Sequence, residues 1–153
     1  MKTLCGHIML KNPATLSPNC TFEEALLALR KNSVRYMPVV NDAGEFVGLF
    51  SSLTLLNLLL PQALSINMGK KPVDLNFMRT SMEDLVERLG EIGNNPIQEH
   101  LITDIPTCYE DSSIMEAIHI LHDHHNHVII TPKDSKRLLG VITINGLLDH
   151  LTQ

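Results

Sequence analysis

The chain carries the same run of signals twice at a fixed offset, and this constrains its fold more than any other feature. Thr21-Phe22-Glu23-Glu24-Ala25 opens an amphipathic stretch, followed by Met37-Pro38-Val39-Val40 and then Phe46-Val47-Gly48-Leu49-Phe50-Ser51. Further on, Ser113-Ile114-Met115-Glu116-Ala117 leads to Val128-Ile129-Ile130 and then Leu138-Leu139-Gly140-Val141-Ile142-Thr143. Ala117 lies 92 residues after Ala25, and Gly140 lies 92 residues after Gly48. A helix register and a strand glycine that match at one offset mark a duplicated unit, and a cleft between two copies is a natural place for a ligand.

Each copy reads as strand, helix, strand, turn, strand, helix. In copy one, Ala14-Thr15-Leu16 is predicted as a short strand ended by Pro18. Thr21 and Glu24 form a capping box, in which hydroxyl and carboxylate satisfy backbone donors that the first helical turn leaves open. Phe22, Ala25, Leu26 and Leu29 fall at i, i+3, i+4, i+7 on one helical face. Ser113 and Glu116 repeat the box in copy two, and Ile114, Ala117, Ile118 and Leu121 repeat the face. Two strands follow, around Asn41-Asp42-Ala43-Gly44 in copy one and Thr131 to Lys136 in copy two. This alignment makes the second turn two residues longer and the helix-to-strand loop before it two shorter. The strands are apolar on consecutive residues, as strands covered on both faces are. Residues 52–60 are apolar nearly all round, which predicts a helix packed on two sides, whereas Asp149 and His150 make its counterpart more exposed.

Residues 61–95 are the least repetitive. Pro61, Gly69, Lys70-Lys71 and Pro72 read as loop. Thr80 and Glu83 read as a third capping box, with Met82, Leu85, Val86 and Leu89 as the face of a helix ending near Gly90 and Gly93. The expected organisation is therefore repeat one at 1–60, a helical insert at 61–95 and repeat two at 96–153. The fold class is α/β in the α+β sense, two β-α-β-β-α repeats packed with pseudo-twofold symmetry.

Composition removes several functions. With 153 residues the chain can bury a sizeable core without staples. A net charge of −5 argues against binding nucleic acid by phosphate neutralisation. With no Trp and two Tyr there is no aromatic stacking platform either. The three cysteines form no C-x-x-C pair, which suggests free thiols and a cytoplasmic location. No apolar run approaches the ~20 residues of a membrane-spanning helix. There is no G-x-S-x-G, P-loop or recognisable Cys-His spacing, so an enzyme is not expected. His122-Asp123-His124-His125-Asn126-His127 invites a metal reading, but the run wraps a helix end, so no metal site is expected. Ser51 and Thr143 sit where a strand becomes a helix, where a hydroxyl caps the first turn and the open N–H groups suit a phosphate.

This order of signals resembles a pair of cystathionine-β-synthase (CBS) domains, the Bateman module. The resemblance rests on His7-Ile8-Met9, Thr15 and Met37-Pro38-Val39-Val40-Asn41-Asp42, with Phe46 to Thr54. In copy two it rests on His100-Leu101-Ile102, Thr107, Val128-Ile129-Ile130 and Leu138 to Gly146. It implies a regulatory module that holds AMP, ADP, ATP or S-adenosylmethionine between the repeats. It also implies a homodimer acting on a separate effector enzyme or transporter. The implied ligand residues are Thr15, Arg35, Pro38, Ser51, Thr54, Thr107, His127 and Thr143. The family's usual aspartate three residues past the cap is replaced by Thr54 and Gly146. Losing a charged hydrogen bond to a ribose hydroxyl costs about 1.5–3 kcal/mol, roughly ten- to hundredfold in affinity. The alternative reading is therefore a structural or interaction dimer whose clefts no longer bind.

Overall fold

The computed structural model describes residues 2–60, 75–124 and 127–153. The loop read at Pro61 to Pro72 and the His125-Asn126 part of the histidine run lie outside the described residues. In chain order the elements are α1 (Cys5–Ile8), β1 (Leu10–Lys11), α2 (Phe22–Lys31), β2 (Tyr36–Val40), β3 (Phe46–Ser51) and α3 (Ser52–Leu59). There follow α4 (Met82–Ile92), a 3-10 turn (Ile97–His100), β4 (Thr107–Cys108), α5 (Ile114–His124), β5 (Val128–Ile130), β6 (Gly140–Ile142) and α6 (Ile144–Leu151).

Helix α2 starts as its sequence dictates. Thr21 Oγ1 accepts from Glu24 N at 3.1 Å, and Glu24 Oε1 accepts from Thr21 N at 3.2 Å. Its inner face buries Phe22, Ala25 and Leu29 against Met37, Val39 and Phe50. Phe22 and Phe50 meet edge to face with centroids 5.2 Å apart, an arrangement that favours aromatic pairs beyond the area they bury. Copy two builds the equivalent core from Ala117, Leu121, Val128, Ile130 and Ile142. There the box expected of Ser113 and Glu116 does not close: Ser113 Oγ caps by accepting from Met115 N at 3.3 Å, while Glu116 N donates to the Ser113 backbone carbonyl at 2.9 Å.

Each copy completes the other's sheet. In copy two, β4 runs parallel to β5, β5 antiparallel to β6, and β6 antiparallel to β1 from copy one's entry segment, with Leu10 opposite Val141. In copy one, Leu16 bridges Val39 in parallel, β2 pairs antiparallel with β3, and Leu49 of β3 bridges Ile102 from copy two's entry segment. Ile102 and Leu10 are 92 residues apart, as are Val141 and Leu49. The two copies also meet where Glu45 bridges Arg137, again 92 apart. Phe46 N donates to Lys136 O at 2.7 Å, and Leu138 N donates to Gly44 O at 3.1 Å. Exchange of the copies maps the Glu45–Arg137 bridge onto itself and turns each of these two hydrogen bonds into the other, so the pseudo-twofold axis passes here.

Four further expectations need correction. The strand at Ala14-Thr15-Leu16 shrinks to the single bridge at Leu16. Gly48 faces Val39 and Gly140 faces Ile130, so β2 and β5 correspond at an offset of 91. The two loops thus differ by one residue each, not two. The cap of α4 is Ser81 with Asp84, one residue on from Thr80 and Glu83, and each side chain serves the other's backbone N–H. Its half-buried stripe is Leu85, Leu89 and Ile92, while Met82 and Val86 point outward at 74% and 64% exposure. Helix α3 is not buried on two sides. None of its residues is buried, and Leu53 and Leu56 are exposed just as Ile144 and Leu148 of α6 are.

Candidate functional site

A cleft of about 530 Å³ opens between the copies. One wall comes from copy one: Pro13 and Ala14 on its entry segment, and residues 32–38 running from the end of α2 into β2. The opposite wall comes from copy two, from His127, Val141 of β6 and Thr143, Ile144 and Asn145 at the start of α6.

Local chemistry explains how these walls arise. Asn32 ends α2, its side-chain amide donating to Ala28 O at 2.8 Å. Ser33 then takes a left-handed conformation, φ 54°, which swings the chain from helix into β2 and lays Val34 to Pro38 along the cleft. Asn12, φ 51°, makes the comparable turn between β1 and Pro13. Asn visits this region more readily than most residues, whereas at Ser33 it costs about 1–2 kcal/mol. On the far wall Thr143 Oγ1 accepts from Gly146 N at 2.9 Å. The amides of Ile144 and Asn145 belong to the first turn, which has no carbonyl four residues back to receive them. Positive helix-dipole character therefore faces the cleft.

Among the described residues the lining holds one permanent cation, Arg35, which is exposed, and no carboxylate. His127 is the cleft's second titratable base. Burial pushes its pKa down to about 4, so it is neutral at pH 7. Its Nδ1 is buried without a hydrogen-bond partner among the described residues. Its ring lies 5.8 Å from that of Tyr36, the residue matching it in copy one at the offset of 91. Such a lining, largely apolar with a few polar anchors and one cationic side, suits a flat heterocycle carrying an anionic group.

Of the residues singled out from sequence, Arg35, Pro38, His127 and Thr143 come together in this cleft. Thr15 is exposed beside the lining residue Ala14. Ser51 is fully buried and caps α3, accepting from Leu53 N at 3.1 Å. Thr54 sits half-buried one turn into α3, and Thr107 is exposed at the start of β4. Sequence reasoning missed Tyr36, Ser33 and Asn145. Tyr36 was legible as the alignment partner of His127, but only at an offset of 91. In the histidine run, Asp123 holds His119 at 2.8 Å and His122 at 2.9 Å, so the carboxylate is already occupied. Among the described residues no group of three or more His, Cys, Asp or Glu is placed to hold a metal ion. None of the helices described is long and apolar enough to cross a membrane.

Comparisons with known proteins agree with this architecture. The family model described as "CBS domain" matches residues 5–61 and again residues 97–153. A CBS domain-containing protein of Dictyostelium discoideum is 26% identical over 156 residues, covering 99% of this chain and 92% of that protein. The CBS-pair protein CBSX2 from Arabidopsis thaliana superposes with a TM-score of 0.75 at 14% identity, covering 99% of this chain and 95% of that one. The CBS domain pair of protein MJ0100, solved in complex with 5′-methylthioadenosine and S-adenosyl-L-methionine, superposes at 0.66 with 18% identity, covering 99% and 97%. CBSX2 has also been solved in complex with AMP, at a TM-score of 0.69 and 15% identity, covering 97% and 95%.

Proposed function

The chain belongs to the CBS domain family, and from that membership we propose that it is a regulatory, non-catalytic module that binds an adenosine nucleotide in the cleft between its repeats. One observation carries the reading: a cleft between the copies has Arg35 on one wall and the open first turn of α6 on the other, with no carboxylate among the described residues of its lining. A phosphate meets favourable charge from both sides. The adenosine ligands named for CBSX2 and MJ0100 support the nucleoside part. Among AMP, ADP, ATP and S-adenosylmethionine, the cationic walls favour the three phosphates over a sulfonium.

The proposal extends to assembly and location. Helices α3 and α6 correspond at the offset of 92, and each presents an apolar face, with Leu56 54% and Leu148 48% exposed. A homodimer closed through these faces would pass a change at the cleft to a separate effector enzyme or transporter. Free thiols at all three cysteines fit a cytoplasmic setting. The same apolar faces favour a second reading, in which dimerisation is the function and the cleft, lacking a side chain at Gly146, stays empty.

Calorimetric titration separates the two. AMP should bind with a measurable heat, and Arg35→Ala should weaken it about tenfold, the value of one charge-assisted contact. Absence of binding by AMP, ADP, ATP and S-adenosylmethionine alike, with a dimer in solution, would establish the second reading.

A further inference from the structure

The two cores differ at one matched pair of positions. In copy one, Leu16 and Ile97 belong to the same buried cluster. The residues 92 positions away are Cys108 and Cys5, which share the core of copy two. Where one copy has two branched aliphatics, the other has two thiols. Cys5 is completely buried and Cys108 is 2% exposed. Cys5 Sγ donates to Ser113 O at 3.6 Å, and the backbone beside it is tied just past Cys108 by Cys5 N donating to Ser112 O and Gly6 N to Glu110 O, both at 2.8 Å. Cys20, in copy one, belongs to the other core.

We propose that Cys5 and Cys108 form a two-electron redox site that closes to an intrachain disulfide when a small hydroperoxide reaches it. The Cys5 thiolate attacks the O–O bond, becoming a sulfenic acid while the peroxide leaves as water or an alcohol. The Cys108 thiolate then attacks the sulfenic sulfur, forming the S–S bond and releasing water. Two thiols and one hydroperoxide thus give one disulfide, one water and one water or alcohol, with the O–O bond taking both electrons. Burial, with Cys5 and Glu116 beside it, holds the Cys108 thiol up to about 12. Burial also raises Cys5, so the reduced pair is inert while covered. Reaction proceeds when α1, a single turn near the chain's start, opens. It is held there by Cys5 N donating to Ser112 O and Gly6 N to Glu110 O, both at 2.8 Å.

The consequence is mechanical. The chain continues from α1 through β1 to Pro13 and Ala14, which line the cleft. A disulfide would fasten this wall covalently to the core of copy two.

The test treats the full native chain with tert-butyl hydroperoxide and follows it by non-reducing peptide mass spectrometry. The expected product has lost two hydrogens, contains one peptide joining Cys5 to Cys108, reverts with dithiothreitol, and forms unchanged in Cys20→Ser. Its melting temperature should rise by roughly 5–15 °C, because a long loop is closed. Amide exchange at residues 5–14 should slow in the oxidised form. The double variant Cys5→Ile with Cys108→Leu, which copies the aliphatic pair of copy one, should fold and lose the response. Sulfinic or sulfonic acid at either residue without a cross-link, joining through Cys20, or a disulfide seen only in urea would overturn the site. Unchanged exchange at 5–14 in the cross-linked protein would overturn the fastening.

Discussion

Replacing Gly140 by alanine probes the exchange of edge strands between the copies. Glycine in a strand is ordinarily a weakness, and alanine should gain about 0.4–1 kcal/mol from the unfolded chain's lost freedom. Here the sign reverses. A Cβ at Gly140 would lie 2.7 Å from the Leu10 carbonyl oxygen and 2.9 Å from Met9 Sδ. Ordinary contact begins at 3.4 Å, and the nearest obstacle is backbone, so β1 must recede from β6. Overpacking costs about 1–3 kcal/mol, and each weakened ladder hydrogen bond about 1 kcal/mol more. After the entropic gain the net loss is about 2–3 kcal/mol, which lowers the melting temperature by roughly 5–10 °C. Gly48 stands in the same relation to copy two's entry segment, with Leu101 Cβ at 2.9 Å and Ile102 O at 3.1 Å, so Gly48→Ala should lose somewhat less. Gly90 in α4 has nothing within 4 Å, and Gly90→Ala should gain about 1 kcal/mol. Thermal unfolding followed by circular dichroism ranks the three. Gly140→Ala melting at or above the wild-type temperature would refute the exchanged edge.

Other perturbations have outcomes as definite. Thr143→Ala should cost about 1 kcal/mol in urea unfolding through loss of the α6 cap, and Thr143→Ser should recover most of it. His127 has a folded pKa of about 4 against an ordinary 6.5, so the unfolded chain takes up the proton first as pH falls. Its stabilising effect is complete above pH 6.5 and is lost down to about pH 4, by up to ~3 kcal/mol. His127→Asn should flatten that window, while the loss from Asp84, Asp111 and Asp123, whose carboxyls are held low by hydrogen bonds, comes at lower pH. The proposed dimer through α3 and α6 predicts that Leu56→Asp combined with Leu148→Asp lowers the mass seen in analytical ultracentrifugation from two chains to one without changing the circular dichroism spectrum; a wild-type monomer would overturn the dimer. Thr54→Asp should raise AMP affinity by about ten- to hundredfold in calorimetry if α3 borders a ribose site, and an unchanged affinity would remove Thr54 from the binding surface.

The duplication was legible because its markers are local. Caps at Thr21 and Ser113, helix faces at Phe22 and Ile114, and glycines at 48 and 140 each follow from one stretch of chain. What stayed hidden depends on residues far apart in sequence. Nothing in Leu10-Lys11 or Ile102 announces a strand, because each becomes one only by pairing with the other copy. The connection from β5 to Gly140 is one residue longer than that from β2 to Gly48, which concealed the match of Tyr36 with His127. The leucines of α3 were read as doubly buried because hydrophobicity reports a demand for cover, not whether one chain meets it. The cap at Ser81 was misplaced by one residue because Thr80 and Glu83 offer the same chemistry, and only backbone geometry chooses between them. In the site, Thr143 follows from its place between strand and helix, and Arg35, Pro38 and His127 follow from the resemblance. Asn145 and Ser33 enter through backbone position, which no side-chain motif encodes.

The most direct measurement is a crystal structure of the protein grown with saturating AMP. The account predicts the phosphate between the Arg35 guanidinium and the amides of Ile144 and Asn145, with the base against Tyr36 and His127. An empty cleft at saturation, or AMP bound on another surface, would contradict it.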